Sequence, residues 1–443
     1  MSMDSINTIS KAVISIGLLV SSQILMADNN INNISVLTME KVERLALENE
    51  PGITSQDWQV RSLTENAIAE SQLPDPKMQI GLINVPTDTY DFDQENMTQF
   101  KFGVSQQFPA GNTLDVKQQK IEKQALTIHD KKEQRKLTIL KTVRLTYLEI
   151  YYLEQAKITI LENKKLFSQL TEIVKSLYSV GKNNQQDLIH SQLELSRLDD
   201  RIVKVDKNLK SQRYNLARWI GVENSKLALT AVLPEWTNAD ISESVYLNED
   251  ALVEQLIKHP LIKEIDHKID VSRQDVALIK ESYKPGWGLN VSYSYREDRP
   301  DGIERSDFIS LGASVDLPIF SGKRQDKKLL SKEFIYQSLK DKRVEILREI
   351  MSSLQQEYSN KNQIIKRNKL YQSLLLPQAK QQAEAALLAY QSDRGDFADV
   401  MRAHIDNLNA LLDNMRITID LLKTKSKILY FTSSFSNEGL RDE

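Results

Sequence analysis

Cysteine is absent from all 443 residues. That excludes disulfides, thiolate metal sites, cysteine nucleophiles and a lipid anchor carried on an N-terminal cysteine. Glycine and proline are sparse, at 14 and 11, so the chain is suited to a few long elements rather than many short ones. The net charge is only −3, which leaves no basic footprint for nucleic acid. Past residue 30 no apolar run approaches the roughly 20 residues of a membrane-spanning helix. If the mature chain enters a membrane it must do so as a closed β-barrel, because only helices and barrels satisfy the backbone in lipid.

What is present begins with an export signal. Lys11 precedes the apolar run 12–20, and Ala27 offers a small residue for cleavage. Residues 1–27 are read as a signal peptide, and the Asn-rich stretch 28–33 as the start of the mature chain.

The remainder repeats itself. Glu70, Ser71 and Pro74 match Glu281, Ser282 and Pro285; Gly103, Ser105 and Pro109 match Gly312, Ser314 and Pro318. Tyr178, Asp187 and Leu188 match Tyr390, Asp399 and Val400. An ordered series of this kind marks a tandem duplication. The first repeat is expected over 28–235, with strands near 77–86 and 97–108 and a helical hairpin near 112–220. The second is expected over 236–432, with strands near 286–296 and 307–317 and a hairpin near 322–431, before a tail at 433–443.

The four strands alternate. Trp287, Leu289, Val291, Tyr293 and Tyr295 interleave with Gly288, Asn290, Ser292 and Ser294. Ile309, Leu311, Ala313, Val315 and Leu317 interleave with Ser310, Gly312, Ser314 and Asp316. Phe100, Phe102 and Val104, and less cleanly Met78, Ile80 and Leu82, do the same. Period two puts one face apolar and the other small and polar. A half-buried soluble sheet alternates too, but its wet face normally carries Lys and Glu rather than Ser, Gly and Asn. The aromatics near the strand ends also suit the interfaces of a membrane barrel. Four strands cannot close such a barrel, so the chain must pool them with copies of itself.

Between Pro109 and Pro234 there is no proline, and a helix over 113–180 would run about 100 Å. Leu188, Leu195, Ile202, Leu209 and Leu216 recur every seventh residue, with Leu198 and Val205 in the second seam. Leu408, Met415, Leu422 and Leu429, with Ile405, Leu412 and Ile419, repeat the pattern. Antiparallel hairpins turning at 181–184 and 393–395 are expected.

Taken together, the residues 73–76 (Leu-Pro-Asp-Pro), the strand exits 107–109 and 317–322, and the motif of Tyr178, Gly181, Asp187 and Leu188 resemble the outer-membrane efflux protein family of the TolC type. The Leu-Pro-Asp-Pro segment leans slightly toward its heavy-metal branch. The resemblance implies a mainly α fold in which long coiled-coil hairpins form an α-barrel, topped by a four-strand share of a twelve-stranded barrel in a homotrimer. It implies an outer-membrane location with a long periplasmic extension, and docking to a periplasmic adaptor and an inner-membrane transporter of the resistance-nodulation-division type. It implies, further, a periplasmic gate at Asp399 and Tyr390, and adaptor docking at the hairpin tips Gly181, Lys182, Asn183, Arg394 and Gly395. The sequence departs from the family at Arg402, where a second acid is usual, at Gly395, where a basic residue is usual, and at Asp393, where the turn lacks its Gly.

No catalytic constellation accompanies this. His129, His190, His259, His267 and His404 lack metal-ligand spacing, Ser321-Gly322-Lys323 lacks the upstream glycine of a phosphate loop and reads as a turn, and no carboxylate pair stands out. No cofactor, metal site or enzyme activity is expected. The alternatives are a duct for type I protein secretion and, in another class, a periplasmic coiled-coil adaptor. A single hairpin on a β-rich body would mark the adaptor, and here there are two hairpins.

Overall fold

The structure is a computed structural model that describes residues 36–48, 50–236 and 248–432. The expected signal peptide and C-terminal tail lie outside the described residues. Helices α1 (Met39–Glu48) and α2 (Pro51–Glu70) lead into strands β1 (Lys77–Ile83) and β2 (Gln99–Phe108). Helices α3 (Thr113–Ser179) and α4 (Gln185–Ile220) form the first hairpin, followed by the single turn α5 (Val222–Ser225). Then α6 (Glu249–Leu256) and α7 (Pro260–Glu281) lead into β3 (Gly286–Tyr295) and β4 (Phe308–Asp316). The second hairpin descends through α8 (Gln325–Leu370), a π turn (Tyr371–Leu375) and α9 (Leu376–Gln391), and returns through α10 (Phe397–Thr432).

Helix α3 is 67 residues long, about 100 Å at 1.5 Å per residue. No Pro or Gly interrupts it, so nothing local breaks its hydrogen-bond ladder. Its counterpart contains Pro377, which lacks an N–H and crowds the carbonyl four residues back. The chain absorbs that defect in the π turn immediately before it, and the rod continues with a local bulge. The first strand ends at Ile83, short of the expected 86, because Asn84 turns the chain at φ +58°. Its side-chain amide donates to Met97 O at 3.2 Å, and its carbonyl accepts from Thr98 Oγ1 at 2.7 Å.

Packing follows the heptad seams. Leu198, Leu408, Val400, Met401 and Phe397 bury themselves against Ile160, Phe167, Leu170 and Val174 of α3 near the tips, with Leu188, Leu195 and Ile202 half-buried around them. A second core, higher up, joins Val143, Tyr147 and Ile150 of α3 to Leu216, Ile220 and Ile419. Leu195→Glu would place an unpaired carboxylate in the tip core, at a cost of about 2 kcal/mol or more. Reduced yield of the assembled protein is therefore expected on size exclusion, and a wild-type profile would contradict the seam.

Two polar devices tie distant helices. Arg416 grips Glu149 through both guanidinium nitrogens at 2.7 and 3.0 Å, and Lys423 bonds the same carboxylate, so α10 is fixed to α3. Burial would raise the Glu149 carboxyl, but the hydrogen bonds from those two cations outweigh it and hold it at about 2. His259 is fully buried at the start of α7; its Nδ1 accepts from Leu261 N, and its Nε2 lies 3.2 Å from Tyr430 O of α10. Burial pushes its imidazole down to about 4, only partly offset by that hydrogen bond. It is a neutral staple between the two helices.

Candidate functional site

The four strands form one antiparallel sheet in the order β1-β2-β3-β4. Register aligns the alternation across all of them. Met78, Val104, Val291 and Leu311 form one row, and Ile80, Phe102, Tyr293 and Ile309 the next. The row between them is Gln79, Gly103, Ser292 and Ser310. A one-residue slip would mix the faces, so this register segregates apolar from polar throughout.

In the central strands β2 and β3 the exposure of the two faces is inverted from that of a soluble sheet, while the outer strands β1 and β4 are exposed on both. Leu311 is 80% exposed, Ile309 76% and Met78 63%, whereas Ser292 and Ser294 are buried. No described element covers the apolar face, and no described strand pairs with the outer edges of β1 and β4. Phe108 and Trp287 stack at 4.2 Å at the helical end of the strands, and Tyr293, Tyr295 and Phe308 stand at the other. Trp287 to Tyr295 spans about 27 Å along the strand, near 20 Å after a barrel's tilt, which suits an apolar membrane band. No described helix is long and apolar enough to cross a membrane.

At the far end of the strands two charged loops are held as one unit. Arg305 donates to Asp93 O at 3.0 Å, Glu297 O at 3.2 Å and Asn96 Oδ1 at 3.0 Å. Arg296 donates to Ser306 O at 2.8 Å and Asn96 O at 3.2 Å, and lies over the Phe308 ring. No sequence signal marked the two arginines that join these loops, since their acceptors are mostly backbone carbonyls.

The opposite end of the molecule holds the two hairpin tips. Gly181 takes φ +73°, and Lys182 N donates back to Leu177 O at 2.9 Å, capping α3. In the second hairpin the left-handed position falls on Asp393, at φ +55°, a conformation Asp tolerates better than most residues. Gly395 is needed for space: a Cβ there would sit 3.1 Å from Ala389 Cβ and 3.3 Å from Tyr390 N. Arg394 N donates to Ala389 O at 2.9 Å.

Tyr390 links the tips. Its hydroxyl accepts from Asn183 Nδ2 at 3.1 Å, and its ring meets Phe397 edge-on at 5.6 Å. Asp399 lies in the first turn of α10, exposed, with Arg402 donating to it at 2.9 Å. The departure at Arg402 thus has a direct consequence, because the acid carries its own counterion one turn away. Higher up, Arg201 donates to Asn409 Oδ1 at 2.9 Å and Tyr371 to Asp413 at 3.3 Å, two further links along the hairpins that no sequence signal marked.

The family model for outer membrane efflux proteins matches residues 43–222. Over that segment the chain is similar to the outer membrane efflux proteins. Solved structures extend the likeness to the whole architecture. The outer membrane protein VceC from Vibrio cholerae is 14% identical, with a TM-score of 0.74 over 89% of this chain and 95% of that one. The CmeC outer membrane channel of Campylobacter jejuni is 13% identical, with a TM-score of 0.74 over 89% and 85%. CusC, a channel-forming protein, is 13% identical, with a TM-score of 0.72 over 89% and 91%. At such identities the likeness speaks for the fold. No curated protein matches by sequence. Efflux proteins of this family are outer-membrane channels rather than enzymes. Among the described residues no group of His, Asp and Glu is placed to hold a metal ion.

Proposed function

We propose that three copies of this chain join their sheets edge to edge into a twelve-stranded barrel, continued by the hairpins as a periplasmic tunnel. The observation that carries this reading is the uncovered apolar face on a four-stranded sheet whose two edges are unpaired. Exposed edges and apolar surface are both untenable in isolation, and cyclic closure in a bilayer resolves them together. Small molecules or metal ions would leave through this duct, driven by an inner-membrane transporter of the resistance-nodulation-division type. The tips Gly181, Lys182, Asn183, Arg394 and Gly395 would meet the periplasmic adaptor.

Tyr390 and Asp399 would form the entrance. Their geometry supports a latch more than an acidic ring, since Tyr390 ties the tip of the second hairpin to that of the first and Arg402 offsets Asp399. Opposite effects should follow from breaking the pair. In planar bilayers Asp399→Ala frees three arginines and should move the reversal potential toward anion selectivity, whereas Arg402→Gln frees three carboxylates and should move it toward cations. The effect should shrink at high salt, where the Debye length falls to about 3 Å. Identical reversal potentials in both variants would remove Asp399 from the conduction path.

The assembly itself is tested by extraction from outer membranes in mild detergent. A trimer that forms ion-conducting pores is expected, and a water-soluble monomer would overturn the proposal.

A further inference from the structure

Where β4 gives way to α8, the two halves of the chain differ sharply in charge. After Pro318 come Ile319 and Phe320, 70% and 84% exposed, and then Lys323, Arg324, Lys327 and Lys328, all exposed. At the matched positions after Pro109 the first half carries Leu114, Asp115, Gln118 and Gln119. The second half thus packs four cations into residues 323–328, where the first half has Lys117 and Lys120 in the opening turns of its helix. The four fall into two pairs four residues apart, so each pair shares a helix face. Among the described residues none of the four takes part in an ion pair, whereas Lys284 and Lys332 nearby are held by Glu281 and Asp275.

A cleft of about 620 Å³ opens at this place, between the strand ends and the start of α8. Phe108, Lys284, Asp316, Arg324, Gln325 and Lys328 are among its walls. Gln325 is more than nine-tenths buried, and its Oε1 has no hydrogen-bond donor. That oxygen is closed off from solvent, so Gln325 floors the cleft without offering a ligand a contact. The stacked Phe108 and Trp287 mark the same level as the end of the apolar band.

We propose, on the barrel reading given above, that this cleft binds the headgroup of a glycerophospholipid from the periplasmic leaflet of the outer membrane. Arg324 and Lys328 bind the phosphate diester, Arg through its planar fork and Lys as a point charge. Ile319 and Phe320 enter the acyl region next to the glycerol, and Lys323 and Lys327 reach neighbouring headgroups along their apolar stems. The site anchors each hairpin at a fixed depth, a task that a lipid-modified cysteine could not perform in a chain without cysteine.

The detergent-solubilised trimer is titrated with a short-chain phosphatidylglycerol and followed by native mass spectrometry. Three proteins are compared: wild type, Arg324→Gln/Lys328→Gln, and Lys366→Gln/Lys369→Gln, whose changes lie on the same helix roughly 60 Å away. Wild type and the distant variant should bind alike, and the first double variant at least fivefold more weakly, with tens of millimolar inorganic phosphate failing to displace the lipid. Equal binding by all three would overturn the site. Displacement by inorganic phosphate would overturn the lipid assignment and leave an anion site. If the first double variant gives no trimer, Lys323→Gln/Lys327→Gln takes its place with the same expected and opposing results. A wild-type chain that forms no trimer would count against the barrel reading instead.

Discussion

Leu311→Arg should cut the amount of trimer in outer membranes at least tenfold, while Ser310→Lys, one residue away, should leave most of it. Leu311 is 80% exposed in the single chain. On a water-soluble protein, exchanging such a residue for Arg would fall within about 0.5 kcal/mol of neutral. In a barrel its row, shared with Met78, Val104 and Val291, lies near mid-strand and faces lipid. Arginine at the bilayer midplane costs about 2–4 kcal/mol, and the proposed threefold assembly would apply that cost three times. The sum is comparable with the whole stability of a typical domain, about 5–15 kcal/mol. Ser310 shares its row with Gln79, Gly103 and Ser292, which would line the water-filled lumen, where a lysine keeps its hydration. The comparison is read from trimer bands of unheated membrane extracts. Equal abundance of the Leu311→Arg trimer would remove lipid from that face.

The alternation of the strands was legible because period two is a local property, and each strand carries it whole. Helix α3 was legible for a similar reason: a stretch without Pro or Gly leaves few other conformations. The end of β1 was not, since it depends on Asn84 adopting a left-handed turn that is stabilised across the hairpin by Met97 and Thr98. Pro377 was not singled out in the sequence, and its accommodation by the π turn before it has no pattern of its own there. At the tips, the family resemblance implied Tyr390 and Asp399. The ion pair with Arg402 was within reach as an i,i+3 spacing, while the bond from Asn183 to Tyr390 joins residues 207 positions apart and has no local signature. Glu149 looked like one more carboxylate on a charged helix. Its partner Arg416 is 267 residues away, and only the folded hairpins bring them together.

That cluster and His259 should give the helical body two separate acid transitions. The Glu149 carboxyl falls from an ordinary 4.5 to about 2 on folding, burial being outweighed by Arg416 and Lys423. A depressed carboxylate contributes stability that is complete above the unfolded value and disappears as pH falls from 4.5 toward 2. The amount is on the order of 3 kcal/mol per chain. His259 moves from 6.5 to about 4, chiefly through burial. The unfolded chain takes up its proton first, so stability falls as pH drops from 6.5 to 4, by a similar order. The two windows scarcely overlap. Glu149→Gln should therefore weaken the trimer by up to about 3 kcal/mol at neutral pH, because two cations remain half-buried without their anion. Its stability should lose the wild-type slope between pH 4.5 and 2, so that the two proteins converge near pH 2. His259→Gln, with no proton to gain, should flatten only the upper window. Urea titrations of trimer helicity at half-unit pH steps would resolve both. Wild-type and Glu149→Gln curves that stay parallel from pH 5 to pH 2 would show that Arg416 and Lys423 do not hold α10 to α3 through this carboxylate.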